Sequence, residues 1–321
     1  MQKTKVLVTG AFGFLGSAVC DEIKKHEQYE LQALPGREAG DLNDEGYCNS
    51  IINYHNPDIV VHLAARIGGI QANKKNPGLF IYENLAMGVN LIETCRKYGK
   101  LEKFVMVGTV CSYPKFTPVP FKESDIWNGY PEETNAPYGI AKKALIELLI
   151  AYKQQYNFNC SNLIPVNMYG PRDNFHPDIS HVIPATILKC QKAINENSKE
   201  VKIWGTGKAS REFLYVQDSA KAIVKSLGVN TPPDPINIGT GKETTIKNLA
   251  HMIADEMGYG GDIVFNSEFP DGQPRRCLDT TKAKDVLGFE AETSFKSGLA
   301  KTVAWFRENQ EKFVDYYDNI Q

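Results

Sequence analysis

The first half of the chain alternates short β-branched runs with segments of helical periodicity. Residues 5–9 (KVLVT) are apolar almost throughout and end at Gly10, the pattern of a strand buried on both faces. Residues 30–34, 58–63, Lys103–Val107 and 161–165 repeat it, and the intervening 17–26, 84–98 and 138–156 are long enough for helices. Such alternation predicts a parallel sheet covered by helices on both faces. Beyond Pro165 the units shorten and proline thickens at Pro171, Pro177 and Pro184. An apolar helix follows His181, then a strand at Glu200–Trp204, a turn at 205–207 and a strand at Ile236–Ile238. Ile246–Met257 reads as an amphipathic helix capped by Thr244 or Thr245, and a last helix near 297–309 buries Leu299, Val303 and Phe306. The expected class is α/β. Residues 1–165 form a doubly wound parallel sheet to which a later stretch, about 211–240, returns. Residues 166–321 form mainly a smaller C-terminal α/β domain.

Composition narrows the partners. A length of 321 residues accommodates two domains of about 150 each. With 36 basic against 38 acidic residues the net charge is −2, which gives no field for nucleic acid or an acidic membrane surface. The seven cysteines (Cys20, Cys48, Cys95, Cys111, Cys160, Cys190, Cys277) are scattered and never form Cys-x-x-Cys, as expected of a reducing compartment. The N-terminus lacks a signal-peptide core, and no apolar run approaches the roughly 20 residues of a membrane helix. A cytoplasmic location is expected.

Residues 9–16 (TGAFGFLG) join the first strand to the first helix. One glycine serves the tight turn, one lets backbone approach a pyrophosphate, and one packs helix closely on strand; the anion then sits at the helix N-terminus. A plain glycine turn would explain Gly10, Gly13 and Gly16 alone. The strand before and the helix after point instead to a Rossmann-type dinucleotide site. Near the end of the second strand Arg37 suits a 2′-phosphate and favours NADP(H). Adjacent Glu38 offers the alternative, a bond to the unphosphorylated ribose.

Tyr138 and Lys142 are four apart, on one face of a helix, so the ammonium can lower the phenol's pKa and hold the nicotinamide ribose. The fourth strand ends in 108–113 (GTVCSY), which places the Thr109 hydroxyl at a strand's carboxyl end, where open α/β sheets build their sites.

The glycine loop, residues 62–65 (HLAA) and the Thr109/Tyr138/Lys142 set resemble the extended short-chain dehydrogenases/reductases that act on nucleotide sugars. Residues 67–73 (IGGIQAN), 111–115 (CSYPK), 135–138 (NAPY), 167–175 (NMYGPRDNF), 180–184 (SHVIP), 204–207 (WGTG) and 211–213 (REF) resemble, in order, the GDP-L-fucose synthase family of 3,5-epimerase-4-reductases. The resemblance implies NADPH, a GDP-4-keto-6-deoxy-sugar (GDP-4-keto-6-deoxy-D-mannose) as substrate, GDP-L-fucose as product, and a homodimer paired through helices 84–98 and 138–156. It implies that Tyr138 protonates the sugar's 4-oxygen with Thr109 bonded to the same oxygen, threonine replacing the family's usual serine. Cys111 and His181 become the base and acid that invert carbons 3 and 5 before reduction removes the activating ketone.

For the cofactor the resemblance names Gly10, Phe12, Gly13, Phe14, Leu15, Gly16, Arg37, Asp41, Leu42, Leu63, Ala64, Ala65, Tyr138, Lys142, Pro165, Asn167, Met168 and His181. For the substrate it names Asn167, Val182, Lys189, Trp204, Arg211 and the 271–276 segment, with Arg275 given the role while Arg276 stays a contender. The competing readings are a reductase of another GDP-4-keto sugar such as a heptose, an NAD-dependent nucleotide-sugar 4-epimerase or dehydratase, and a non-catalytic nucleotide-binding protein. A 4-epimerase has no use for a Cys/His proton-transfer pair, and residues 110–111 (VC) lack a dehydratase's acidic pair.

Overall fold

The computed structural model describes residues 2–177, 179–269, 271–317 and 320, and leaves the side chains of Ile70 and Gln71 aside. Its strands are β1 (Thr4–Thr9), β2 (Tyr29–Ala33), β3 (Ile59–His62), β4 (Lys103–Val107), β5 (Cys160–Pro165), β6 (Asn167–Tyr169), β7 (Glu200–Trp204), β8 (Ser210–Tyr215), β9 (Ile236–Ile238), β10 (Glu243–Thr245) and β11 (Asp262–Asn266). Its helices are α1 (Phe14–Ile23), α2 (Glu45–His55), α3 (Ile70–Lys75), α4 (Pro77–Tyr98), α5 (Ala136–Tyr156), α6 (Val182–Asn195), α7 (Val216–Leu227), α8 (Ile246–Met257), α9 (Thr281–Leu287) and α10 (Phe295–Asn309).

The central sheet is parallel, in the order β2-β1-β3-β4-β5-β9. Alternation along each strand divides its side chains between two cores. Val6, Val8, Val61, Val105 and Val107 pack with α1 and α7 on one face. Leu7, Val60, Phe104 and Met106 pack with α2, α4 and α5 on the other. Full burial of each such side chain stabilises the fold by roughly 1.5–3 kcal/mol. Chain order reverses between β1 and β3, so the loop after β1 opens at the topological switch point, where this architecture leaves a crevice.

A separate core joins α6, α8, α10 and β7 through Ile187, Leu188, Val201, Ile203, Leu249, Ile253, Val303 and Phe306. Two small sheets flank it, β10-β8-β6 and β11-β7. The stretch from β8 to β9 crosses back: α7 packs on α1, and β9 pairs with β5.

Helix starts differ most from expectation, and local chemistry explains each. α1 begins at Phe14 because the glycine loop itself caps it at Gly13. α4 begins at Pro77 and α5 has Pro137 in its first turn, where a ring-fixed φ suits the start and no N–H is missed. Thr245, not Thr244, caps α8 by accepting from the Asn248 N–H at 3.1 Å. No described helix is long and apolar enough to cross a membrane.

Candidate active site

The glycine loop is shaped by contacts that exclude side chains. Gly10 has φ +67°, and a Cβ there would lie 2.8 Å from the Ala64 nitrogen. A Cβ on Gly16 would meet the Gly10 carbonyl oxygen at 1.9 Å. Close packing thus brings the N-terminus of α1 against β1 and the loop after β3. That terminus has no side-chain cap and no acidic residue in its first turn, so its N–H groups face outward unneutralised, the arrangement a pyrophosphate needs. Phe12 stands 73% exposed beside it, while Phe14 and Leu15 open the helix.

Thr9 fixes the opposite wall. Its Oγ1 pairs with His62 Nδ1 at 2.9 Å and accepts the Leu63 and Ala64 N–H groups at 3.2 Å, setting residues 63–65 over the sheet edge. Burial, then the Lys142 charge, pushes His62 down to about 3, so the ring is neutral in this role.

Arg37 lies at the same end of the sheet. Its guanidinium pairs with Asp41 at 3.2 Å and Glu83 at 3.1 Å, and Glu83 also binds Arg66. Burial alone would raise the Glu83 carboxyl, but the bonds from Arg66 and Arg37 outweigh it and hold it low. Two arginines are therefore ordered side by side on a buried carboxylate, and Leu42 is buried under the segment. Glu38 turns back to accept the Gly36 N–H at 3.0 Å. Sequence reasoning missed Arg66 and Glu83, since their pairing joins the loop after β3 to α4. The dinucleotide fits this cradle: a bare helix N-terminus for its diphosphate and ordered cations for a further phosphate.

The next group forms where β4 ends. Thr109 caps a single 3₁₀ turn at 110–112, its Oγ1 accepting the Cys111 N–H at 3.2 Å. Ser112 Oγ donates to the Gly139 carbonyl at 3.0 Å, joining the turn to α5. Gly139 allows the approach, because a Cβ there would sit 2.3 Å from the Cys111 carbonyl oxygen. The contact places the Tyr138 phenol against the Thr109 hydroxyl. Lys142, buried one turn along, donates to the Val107 carbonyl at 3.1 Å.

The charge states differ from the sequence expectation. Burial, then the nearby Cys111, raises the Tyr138 phenol despite its bond to Thr109, so Lys142 does not lower it here. The ammonium is occupied by a backbone carbonyl, and burial pushes its own pKa down to about 8. A phenol kept protonated beside a hydroxyl is a proton donor, the role that reduction of a ketone demands.

The remaining residues approach from the second core. Asn167, at the start of β6 just beyond Pro165, donates to the Glu212 carbonyl at 2.9 Å, and Met168 follows it in the strand. Arg276 Nη1 lies 3.8 Å from Cys111 Sγ and 3.5 Å from Asn167 Oδ1. Arg275 turns outward into an ion pair with Glu243. The structure therefore brings Arg276, not Arg275, to the group.

Arg211 is held by the Ser210 and Asp271 carbonyls at 2.7 and 3.1 Å; burial, then Arg276, pushes it down to about 10, so it stays cationic at neutral pH. His181 stands at the N-cap position of α6 without a side-chain capping bond, and Val182 begins the helix. The His181 side chain is open to solvent, yet it is ringed by protein, and that desolvation together with Arg276 lowers its pKa.

Lys189 and Trp204 stand together: the ammonium donates to the Lys202 carbonyl at 2.8 Å and lies 5.5 Å from the indole centre, while the indole stacks on Phe269 at 4.6 Å. Burial pushes Lys189 down to about 8. Among the described residues no cluster of His, Cys, Asp or Glu could hold a metal ion.

The NAD dependent epimerase/dehydratase family matches residues 6–239. The chain is 39% identical to GDP-L-fucose synthase of Escherichia coli (strain K12), over 98% of this chain and 99% of that protein. A GDP-L-fucose synthetase from Naegleria fowleri bound to NADP superposes with a TM-score of 0.87 at 30% identity, covering 97% of this chain and 95% of its own. A GDP-6-OMe-4-keto-L-xylo-heptose reductase from C. jejuni gives 0.88 at 27%, covering 96% and 99%. On its sheet order, its glycine cradle and these likenesses, the chain belongs to the NAD dependent epimerase/dehydratase family of extended short-chain dehydrogenases/reductases.

Proposed function

We propose that this enzyme converts GDP-4-keto-6-deoxy-D-mannose to GDP-L-fucose, inverting carbons 3 and 5 and reducing carbon 4. Its cofactor is NADP(H). The observation that carries the reading is one short turn: Thr109 faces Tyr138, the pair suited to reduction, and two residues on Cys111 presents a thiol suited to removing a proton alpha to the ketone. Cys111 takes that proton, and His181 returns one on the opposite face of the ring. Tyr138 then protonates the 4-oxygen while Thr109 hydrogen-bonds it as negative charge develops. NADPH, when bound, supplies the hydride.

Lys142 holds the nicotinamide ribose, and Gly10, Gly13, Gly16, Arg37 and Asp41 the rest of the cofactor. Arg211 and Lys189 take the substrate diphosphate and Trp204 a planar or apolar part of it. In this reading residues 1–165 with about 211–240 carry the cofactor, 166–321 mainly the substrate, and α4 and α5 pair two copies.

The test is to supply GDP-4-keto-6-deoxymannose with NADPH and identify the product by NMR. GDP-L-fucose is expected, and Cys111→Ser or His181→Asn should impair epimerisation more than 4-keto reduction. Full yield of epimerised product from either variant overturns their roles. The likeness to a heptose reductase supports a second reading, reduction of another GDP-4-keto sugar with fewer inversions. Turnover of a GDP-4-keto-heptose in preference to the 6-deoxymannose substrate would select it.

A further inference from the structure

Cys111 must give up its proton to act as a base, and a thiolate is stabilised by a cation or donor aimed at its sulfur. The charged and titratable groups facing it come from several elements. Tyr138 approaches from α5, Arg211 from β8 and Arg276 from the segment before α9; Glu132 acts on Arg211, and His181 at the start of α6 feels Arg276. Of these, Arg276 is the cation with a donor on the sulfur, its Nη1 at 3.8 Å from Sγ. The guanidinium is buried and aimed: Nε donates to Gln273 Oε1 at 3.2 Å and Nη1 also reaches Asn167 Oδ1 at 3.5 Å. No carboxylate ion pair to Arg276 occurs among the described residues.

The backbone beneath it is fixed by Glu212, which is fully buried. Its N–H donates to the Arg276 carbonyl at 3.0 Å, and its carboxylate accepts the N–H groups of Leu278, Gly241 and Thr240. A buried carboxylate thus anchors the segment that delivers Arg276, and its bonds go to backbone donors rather than to the arginine.

From this geometry we propose that Arg276 is a positioning residue for epimerisation, stabilising the Cys111 thiolate and aiming its sulfur at the sugar ring. The role rests on the assignment of Cys111 as the base. The positive charge has a second consequence at the same place: it disfavours protonation of His181. Arg276 therefore bears on both members of the pair, with a donor on the Cys111 sulfur and a charge that, after desolvation, lowers the pKa of His181.

Alkylation of the purified enzyme by iodoacetamide, read by mass spectrometry on the Cys111 peptide across pH, tests this without substrate. The other six cysteines are buried and Cys111 is partly accessible, so the reagent reports on it selectively. In Arg276→Met the pH midpoint of alkylation should move up by about one unit, the effect of losing a cation within contact distance, with about a tenfold slower reaction at neutral pH. Arg276→Lys should restore most of the rate. Arg276→Gln, whose amide nitrogen stands where Nε stands and so can keep the bond to Gln273 but not the charge, should behave as Arg276→Met does and covers the case in which methionine disturbs the fold.

Unchanged alkylation profiles in a folded neutral variant overturn the role of Arg276. Exchange of the ring protons with D₂O distinguishes this from failure of the underlying assignment. Undiminished exchange in Cys111→Ser would refute Cys111 as base, whatever Arg276 does to its alkylation.

Discussion

Gly139→Ala puts one methyl group where α5 leans on the Thr109 turn. The added carbon would lie 2.3 Å from the Cys111 carbonyl oxygen and 2.9 Å from its carbon, whereas ordinary contact begins at 3.4 Å. Helix and turn must therefore part by about 1 Å. Overpacking of this kind costs about 1–3 kcal/mol, and alanine's better helix propensity returns about 1 kcal/mol. Net destabilisation is then at most about 2 kcal/mol, a small change in the thermal midpoint for a chain of this size.

The chemistry is more sensitive. The same displacement separates the Tyr138 phenol from the Thr109 hydroxyl, and a misplacement of about 1 Å costs up to about a hundredfold in rate. The assay is NADPH oxidation at saturating 4-keto sugar, paired with calorimetric unfolding of the same preparation. The expected result is a kcat reduced by about ten- to a hundredfold with the melting temperature nearly kept. A variant within twofold of the native kcat would show that this contact does not set the geometry of the site.

Lys142 and Arg37 yield two further outcomes. Burial holds Lys142 at about 8 against an ordinary 10.5, so the native state gives up this proton before the unfolded chain does. The resulting penalty is full below pH 8 and disappears as pH rises towards 10.5. Lys142→Met should then be inactive yet more stable than the native protein at pH 7, by up to about 3 kcal/mol less about 1 for the lost bond to Val107. Denaturant unfolding should show the gap closing above pH 8, and a less stable variant at pH 7 would refute the reasoning. Arg37→Ala should raise KM for NADPH by about ten- to a hundredfold, the loss of a charge-assisted bond, and leave KM for NADH nearly unchanged. A native preference for NADH would refute the assignment of Arg37 to a 2′-phosphate.

Local pattern made much of this protein legible. Short apolar runs placed β1, β3, β4 and β5 to within a residue or so, and three-residue glycine spacing marked the loop that leads into α1, although the helix starts three residues before the expected position 17. Tyr138 and Lys142 share a face because helical geometry requires it at that spacing. Helix starts were less legible where proline or a glycine loop, rather than apolar periodicity, set them.

Other features existed only in three dimensions. Glu83 lies 46 residues from Arg37 and Arg276 lies 165 from Cys111, and nothing local marks either partner. Arg275 and Arg276 are indistinguishable as letters; the extended backbone pairing with Glu212 and β8 decides that one faces Glu243 and solvent while the other faces the sulfur. The protonation of Tyr138 was likewise beyond sequence reasoning, because spacing shows that a lysine is near but not that burial outweighs it. Sequence alone determined which groups the chain carries and on which elements, since periodicity and turn chemistry act over a few residues. Tertiary structure decided which groups meet and in what charge state, since desolvation and long-range pairing depend on everything packed around them.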